Sequence, residues 1–126
     1  MIRVSTAVYY TYMAKHKKPF SCGLGPALSV ITGKWKPVIL WRLHERTLRF
    51  SELQKSIDTI TEKMLFEQLR ELEVSGLIRR VDYNELPPRV EYSLTSLGEE
   101  LNDLLDPLAH WGKQYASKND LTGLYS

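Results

Sequence analysis

Residues 51–76, SELQKSIDTITEKMLFEQLRELEVSG, hold two helices separated by a tight turn. Ser51-Glu52-Leu53-Gln54 reads as a capping box, in which a Ser hydroxyl and a Gln three positions later satisfy each other's unpaired backbone amides and open a short helix. Asp58-Thr59-Ile60-Thr61 is the turn. Thr61 then caps a second helix, with Glu62 near its positive dipole end and Ile60 stapled onto Leu65. That helix runs to Ser75 and stops at Gly76. At about 100° per residue, Leu65, Leu69 and Leu72 share one face and are expected in the core; Lys63, Glu67, Arg70 and Val74 fall opposite them and face solvent.

Downstream, Ile78–Tyr83 and Arg89–Leu94 are β-prone runs. The second alternates Val90, Tyr92 and Leu94 with Arg89, Glu91 and Ser93, and Asn84-Glu85-Leu86-Pro87-Pro88 between them forms the loop of a hairpin. Helix, turn, helix, hairpin is the order of a winged helix-turn-helix, which presents its second helix to a DNA major groove and its hairpin to the adjacent backbone or minor groove. Thr95 or Ser96 caps a last, long helix. Its Leu97, Leu101, Leu104, Leu108, Trp111 and Tyr115 are spaced 4-3-4-3-4, the pattern of a seam between helices. The seam joins two copies of the chain or packs within one. Pro107 lies inside it and is expected to kink or divide the helix.

Upstream, Gly25-Pro26 opens a short helix that ends before Gly33. Trp35 to Leu43 is apolar at nearly every position, which predicts a central helix buried on most sides. Residues before Phe20 mix Tyr9, Tyr10 and Tyr12 with Lys15, Lys17 and Lys18 and read as an arm. The fold class is therefore α+β, mainly α: an arm over residues 1–21, a winged helix-turn-helix over 22–94 and a dimerisation helix with tail over 95–126, in one compact domain.

The 126 residues, 43% of them hydrophobic, suffice for one core. No apolar run approaches the roughly 20 residues of a membrane span, and residues 1–13 lack a signal-peptide core, so a cytoplasmic protein is expected. A single Cys supports neither an internal disulfide nor a Cys-based zinc site. The net charge of +2 conceals a gradient: residues 1–50 carry nine Lys/Arg and one acid, residues 51–94 six and nine, and residues 95–126 two and five. With an acidic balance around the second helix, phosphate neutralisation is expected to draw on Lys34, Lys36 and the basic arm. His16, His44 and His110 are far apart, no nucleophile elbow or phosphate loop is present, and neither catalysis nor a cofactor is expected.

Cys22, then Gly33-Lys34-Trp35 eleven residues on, Arg49-Phe50-Ser51-Glu52-Leu53, Thr61-Glu62-Lys63-Met64-Leu65, Leu69-Arg70-Glu71-Leu72-Glu73, Gly76-Leu77, Pro87-Pro88-Arg89-Val90-Glu91-Tyr92-Ser93-Leu94-Thr95 and Leu97-Gly98 form an ordered string. From about Cys22 to Gly112 the chain resembles the HxlR-type transcription regulators, small homodimeric winged-helix proteins related to the MarR group. It departs from their pattern in a longer arm before Cys22 and in Pro107. The resemblance implies a homodimeric, sequence-specific binder of double-stranded DNA. Thr61 and Lys63 then sit at the amino end of the recognition helix, with Glu67 and Arg70 further along the same face. Phe66 on the flank is a candidate for thymine methyls, or else core edge. Ser51 is a phosphate candidate whose capping alone would explain it, and Arg89 at the wing is a groove or phosphate candidate or a partner for Glu85. Without DNA, Lys63, Glu67 and Arg70 would be an ordinary solvated face with an i, i+3 ion pair between Glu67 and Arg70.

Some relatives use a Cys at the position of Cys22 to sense oxidants or electrophiles. Here it follows Lys17 and Lys18 and precedes a helix start, a setting that activates a thiol. With no second Cys, sensing would proceed through a bond between two Cys22 residues, a mixed disulfide with a small thiol, or alkylation. The alternative is a small buried apolar residue. A rival reading of the whole chain is a winged-helix module that binds a protein partner instead of DNA.

Overall fold

Five helices and three short strands follow one another through residues 22–119, the part of the chain that the computed structural model describes; the arm expected over residues 1–21 lies outside it. Helix α1 (Leu24–Ile31) turns at Gly33, whose φ of +119° suits glycine, into α2 (Lys36–Glu45). Pro37 sits harmlessly in the first turn of α2. Ile39, Leu40 and Leu43 of α2 are buried, but Val38 and Trp41 are 37% exposed, so α2 is not enclosed on most sides. An apolar sequence cannot show which face the fold leaves uncovered.

Strand β1 (Leu48–Arg49) leads directly into α3 (Phe50–Ser56). The expected capping box therefore moves by two residues. Arg49 leaves the sheet in extended conformation as the N-cap, and its backbone N–H donates to Glu52 Oε1 at 2.8 Å; Ser51 lies inside the first turn. Helix α4 (Glu62–Val74) follows the sequence reading closely. The Thr61 hydroxyl accepts from the Met64 N–H at 3.1 Å, and Leu65, Leu69 and Leu72 are at most 1% exposed. At its end the Leu77 N–H reaches the Leu72 carbonyl and the Gly76 N–H the Glu73 carbonyl, both at 3.0 Å, with Gly76 at φ +77°. This is a Schellman stop.

Strands β2 (Ile78–Asp82) and β3 (Val90–Leu94) form the hairpin, from Ile78 opposite Leu94 to Asp82 opposite Val90. Strand β1 pairs on the other edge of β3, Leu48 opposite Tyr92, giving the antiparallel order β1-β3-β2. Tyr92 is buried, and Val90 and Leu94 pack beside it onto the core shared by α2, α3 and α4.

Helix α5 (Ser96–Lys118) is capped by Thr95, whose hydroxyl accepts from the Gly98 N–H at 3.1 Å. It is one helix; Pro107 does not divide it. Pro107 and Asp103 are both exposed, so the i, i+4 bond that Pro107 cannot donate is missing on the solvent side of the helix. The expected seam splits into two rows. Leu97 and Leu101, joined by Leu105, pack onto the core of their own chain, whereas Leu104, Leu108, Trp111 and Tyr115 are 48–71% exposed. A helix of 3.6 residues per turn carries an i, i+4, i+8 row inward and leaves the 4-3-4 row outside. Among the described residues no helix is long and apolar enough to cross a membrane.

Candidate nucleic-acid interface

The turn after α3 and the Thr61 cap fix α4 so that its leucine row faces the core and its opposite face is free. Thr61, Lys63, Phe66, Glu67 and Arg70 are all exposed. Among the described residues Lys63, Glu67 and Arg70 enter no ion pair, so the expected pair between Glu67 and Arg70 does not form. The Thr61 hydroxyl accepts a backbone bond, which leaves its hydrogen available to donate outward. Phe66 is 56% exposed, and its ring centroid lies 6.0 Å from that of Phe50, which packs against the core. It is a braced aromatic at the edge of the face, not part of the interior. Ser51 is exposed near the start of α3.

Two features of this surface were not read from the sequence. Arg79 and Arg80, adjacent in β2, are both exposed beside the stop of α4; two neighbouring arginines in a predicted strand were the available signal. Lys36 is the opposite case. Expected at a phosphate, it is 5% exposed and its Nζ lies 3.4 Å from Glu71 Oε2, so it fastens α2 to α4 and is withdrawn from solvent. Gln68 donates to the same carboxylate at 3.2 Å. Lys34 remains at the surface, its ammonium 4.7 Å from the Trp35 ring centroid.

On the wing, the Arg89 guanidinium sits 3.7 Å from the Tyr83 ring centroid and 3.2 Å from Glu85 Oε1, the partner foreseen as the alternative to a DNA contact. Tyr83 and Glu91 interact across the hairpin; the hydrogen bond to Glu91 and its negative charge push the Tyr83 phenol above its ordinary pKa. The hairpin presents Arg89 stacked on the Tyr83 ring. Cys22 is exposed in the single chain, two residues before α1. Among the described residues no three His, Cys, Asp or Glu side chains gather at a metal-binding distance.

This arrangement of recognition helix, wing and trailing helix has known counterparts, and residues 30–120 match the model of the HxlR-like helix-turn-helix proteins. The chain belongs to the HxlR-like helix-turn-helix family. YkvN, an HTH-type transcriptional regulator of Bacillus subtilis (strain 168), is 49% identical over 108 residues, spanning 86% of this chain and 92% of YkvN. The crystal structure of a MarR-family transcriptional regulator from Enterococcus faecalis V583 superimposes with a TM-score of 0.70 at 43% identity, covering 83% of this chain and 96% of that one. The redox regulator HypR in its reduced form gives a TM-score of 0.72 at 36% identity over 82% of this chain and all of HypR. This HxlR-like chain is thus a transcriptional regulator of the helix-turn-helix type.

Proposed function

We propose that the chain acts as a homodimer on an inverted-repeat operator, with the two copies of α4 in successive major grooves about 34 Å apart. The observation that carries this is the outer face of α4, where Lys63, Glu67 and Arg70 are exposed and, among the described residues, enter no ion pair, while Leu65, Leu69 and Leu72 are buried. Lys63 and Arg70 suit guanine edges, Glu67 a cytosine amino group and Phe66 a thymine methyl. Thr61, Ser51, Arg79 and Arg80 suit phosphates. Arg89 exchanges Glu85 for the DNA backbone or minor groove. In this division of labour residues 22–94 read DNA and residues 95–126 pair the two copies.

The reduced protein, incubated with sheared genomic DNA at physiological salt, should retain a palindromic site. Failure to enrich any site with folded protein would overturn operator binding in favour of a protein partner. On the retained site, Lys63→Ala and Arg70→Ala should each weaken binding by about 1–3 kcal/mol, roughly 5- to 150-fold. Full affinity in both variants would remove them from the reading set.

Redox control is the second part of the proposal, supported by the exposure of Cys22 and by the likeness to HypR. An oxidant that accepts two electrons joins the Cys22 thiols of two copies with loss of two protons, or joins Cys22 to a small thiol. Treatment with a thiol oxidant should change operator affinity in the native protein and leave Cys22→Ser unaffected; equal responses would make Cys22 a bystander.

A further inference from the structure

Among the described residues Lys36 is the one charged side chain that the fold buries, and its ammonium has a single ion partner, Glu71, at 3.4 Å. Taking an ammonium out of water is costly, and a carboxylate that stays half exposed, as Glu71 does, offsets little of that cost. A methionine of similar length would fill the same space without it, so stability does not explain the lysine. What the pair supplies is an angle. Glu71 Oε2 also accepts from Gln68 Nε2 at 3.2 Å, and the Gln68 amide lies over the turn between α1 and α2, where a Cβ on Gly33 would come 3.9 Å from its Oε1. At about 100° per residue, Gln68 and Glu71 fall on one flank of α4, between the buried leucine row and the outward Lys63, Glu67 and Arg70. Phe66 falls on the other flank, where it meets Phe50. A row of leucines tolerates roll about the helix axis, because apolar contact has no direction. A buried ion pair to a neighbouring helix does not, because separating its charges away from water is costly.

We propose that Lys36 is a positioning residue for operator recognition: through Glu71 it sets the roll of α4, and so which base edges Lys63 and Arg70 reach. Side-chain ends on a helix lie about 6 Å from its axis, so a roll of about 10° moves them by about 1 Å. That exceeds the span of roughly 0.5 Å within which an N–H···O bond is well made. Attraction to phosphates changes little over the same distance, since it acts across a screening length of about 8 Å. Base readout therefore depends on the ion pair, and non-specific binding does not. Lys36 itself is withdrawn from solvent and takes no phosphate. Its effect on DNA rests on the operator reading above; the roll of α4 is a property of the free protein.

The test breaks the pair from each side in the full chain. Lys36→Met makes the net charge more negative and Glu71→Gln makes it more positive, so a direct effect of charge on DNA would have opposite signs in the two. Both variants are expected instead to lose about tenfold in affinity for the retained palindromic site, as for a lost base contact, at one fixed salt concentration. Their affinity for random duplex should stay within about twofold, and the slope of affinity against salt should not fall by the roughly one unit that a lost phosphate contact costs. Lys36→Arg, which keeps the charge, should restore the specific affinity. In the protein without DNA, residual dipolar couplings of the backbone N–H groups should show α4 rolled relative to α2 in Lys36→Met and Glu71→Gln and not in Lys36→Arg. Unchanged couplings overturn the proposal, as does a specific affinity that both folded variants retain or that moves in opposite directions in the two. Should Lys36→Met fail to fold, Glu71→Gln, whose side chain is half in solvent, decides alone: added positive charge predicts a gain and a rolled helix a loss. A native protein with no preferred site overturns the operator reading and the role of Lys36 in it; the couplings tell the two failures apart, because they need no DNA.

Discussion

Changing Leu108 and Trp111 together to Glu is expected to yield a folded monomer whose affinity for the palindromic operator is lower by about 10²–10⁴-fold, the range by which joining two sites raises avidity. In the single chain these side chains are 57% and 59% exposed, so neither supports the core, and Glu suits an exposed helix position. With Leu104 and Tyr115 they form the outward row of α5, and the Trp111 and Tyr115 rings stack with centroids 5.2 Å apart. Large aromatics and leucines held in one row are the anchors of helix pairing. Four carboxylates placed in a seam between two copies would have to lose their water without gaining partners, which breaks the seam. Each copy then binds its half-site alone and loses the high effective concentration supplied by its mate. Sedimentation gives the mass, far-ultraviolet circular dichroism the fold, and DNA titration at one fixed salt concentration the affinity. A variant that stays dimeric would move the pairing surface away from this row. A monomer with undiminished affinity would show that one copy suffices for the operator.

The recognition helix was the most legible part of the chain because every signal it uses is local. Thr61 needs only the amide of Met64, the leucine row needs only its own spacing, and Gly76 needs only the carbonyls one turn back. Where the reading slipped, a distant residue decided the outcome. The start of α3 is set by β1 leaving β3 at Arg49, and a two-residue strand carries too little alternation to be seen in advance. Lys36 looks like any surface lysine until Glu71 arrives from another helix. The uncovered face of α2 and the two rows of α5 depend on which neighbours the tertiary fold supplies. The interface behaved in the same way. Periodicity exposed Lys63, Glu67 and Arg70, and the ordered motifs identified the family, but Arg89 turns out to rest on Tyr83 and Glu85, a contact fixed by the loop geometry of the wing.

The stop of α4 also sets the second large effect, a loss of about 3 kcal/mol of folding stability for Gly98→Ala, at the upper end of the cost of overfilling a packed site. Helix propensity alone predicts the reverse, a gain of up to about 1 kcal/mol when Ala replaces Gly inside a helix. Packing decides the sign. A Cβ on Gly98 would lie 2.1 Å from the Leu77 carbonyl oxygen and 3.3 Å from Leu94 Cδ2. The oxygen cannot retreat freely, because it already accepts from the Thr95 N–H at 3.1 Å, while the Thr95 hydroxyl donates to the Gly76 carbonyl at 2.7 Å and accepts from Gly98 itself. Relieving the clash therefore loosens the junction of α4, β3 and α5 as a unit, and with it the angle at which α4 is presented. Gly112, on the same helix, has nothing within 4 Å of the position a Cβ would take and serves as the internal control, since Gly112→Ala should gain stability by propensity alone. Urea unfolding of both variants at one protein concentration separates the two effects. Equal stability of Gly98→Ala and the native protein would mean that α5 can slide away from the Leu77 carbonyl, and that the close approach at Gly98 does not hold the recognition helix in place.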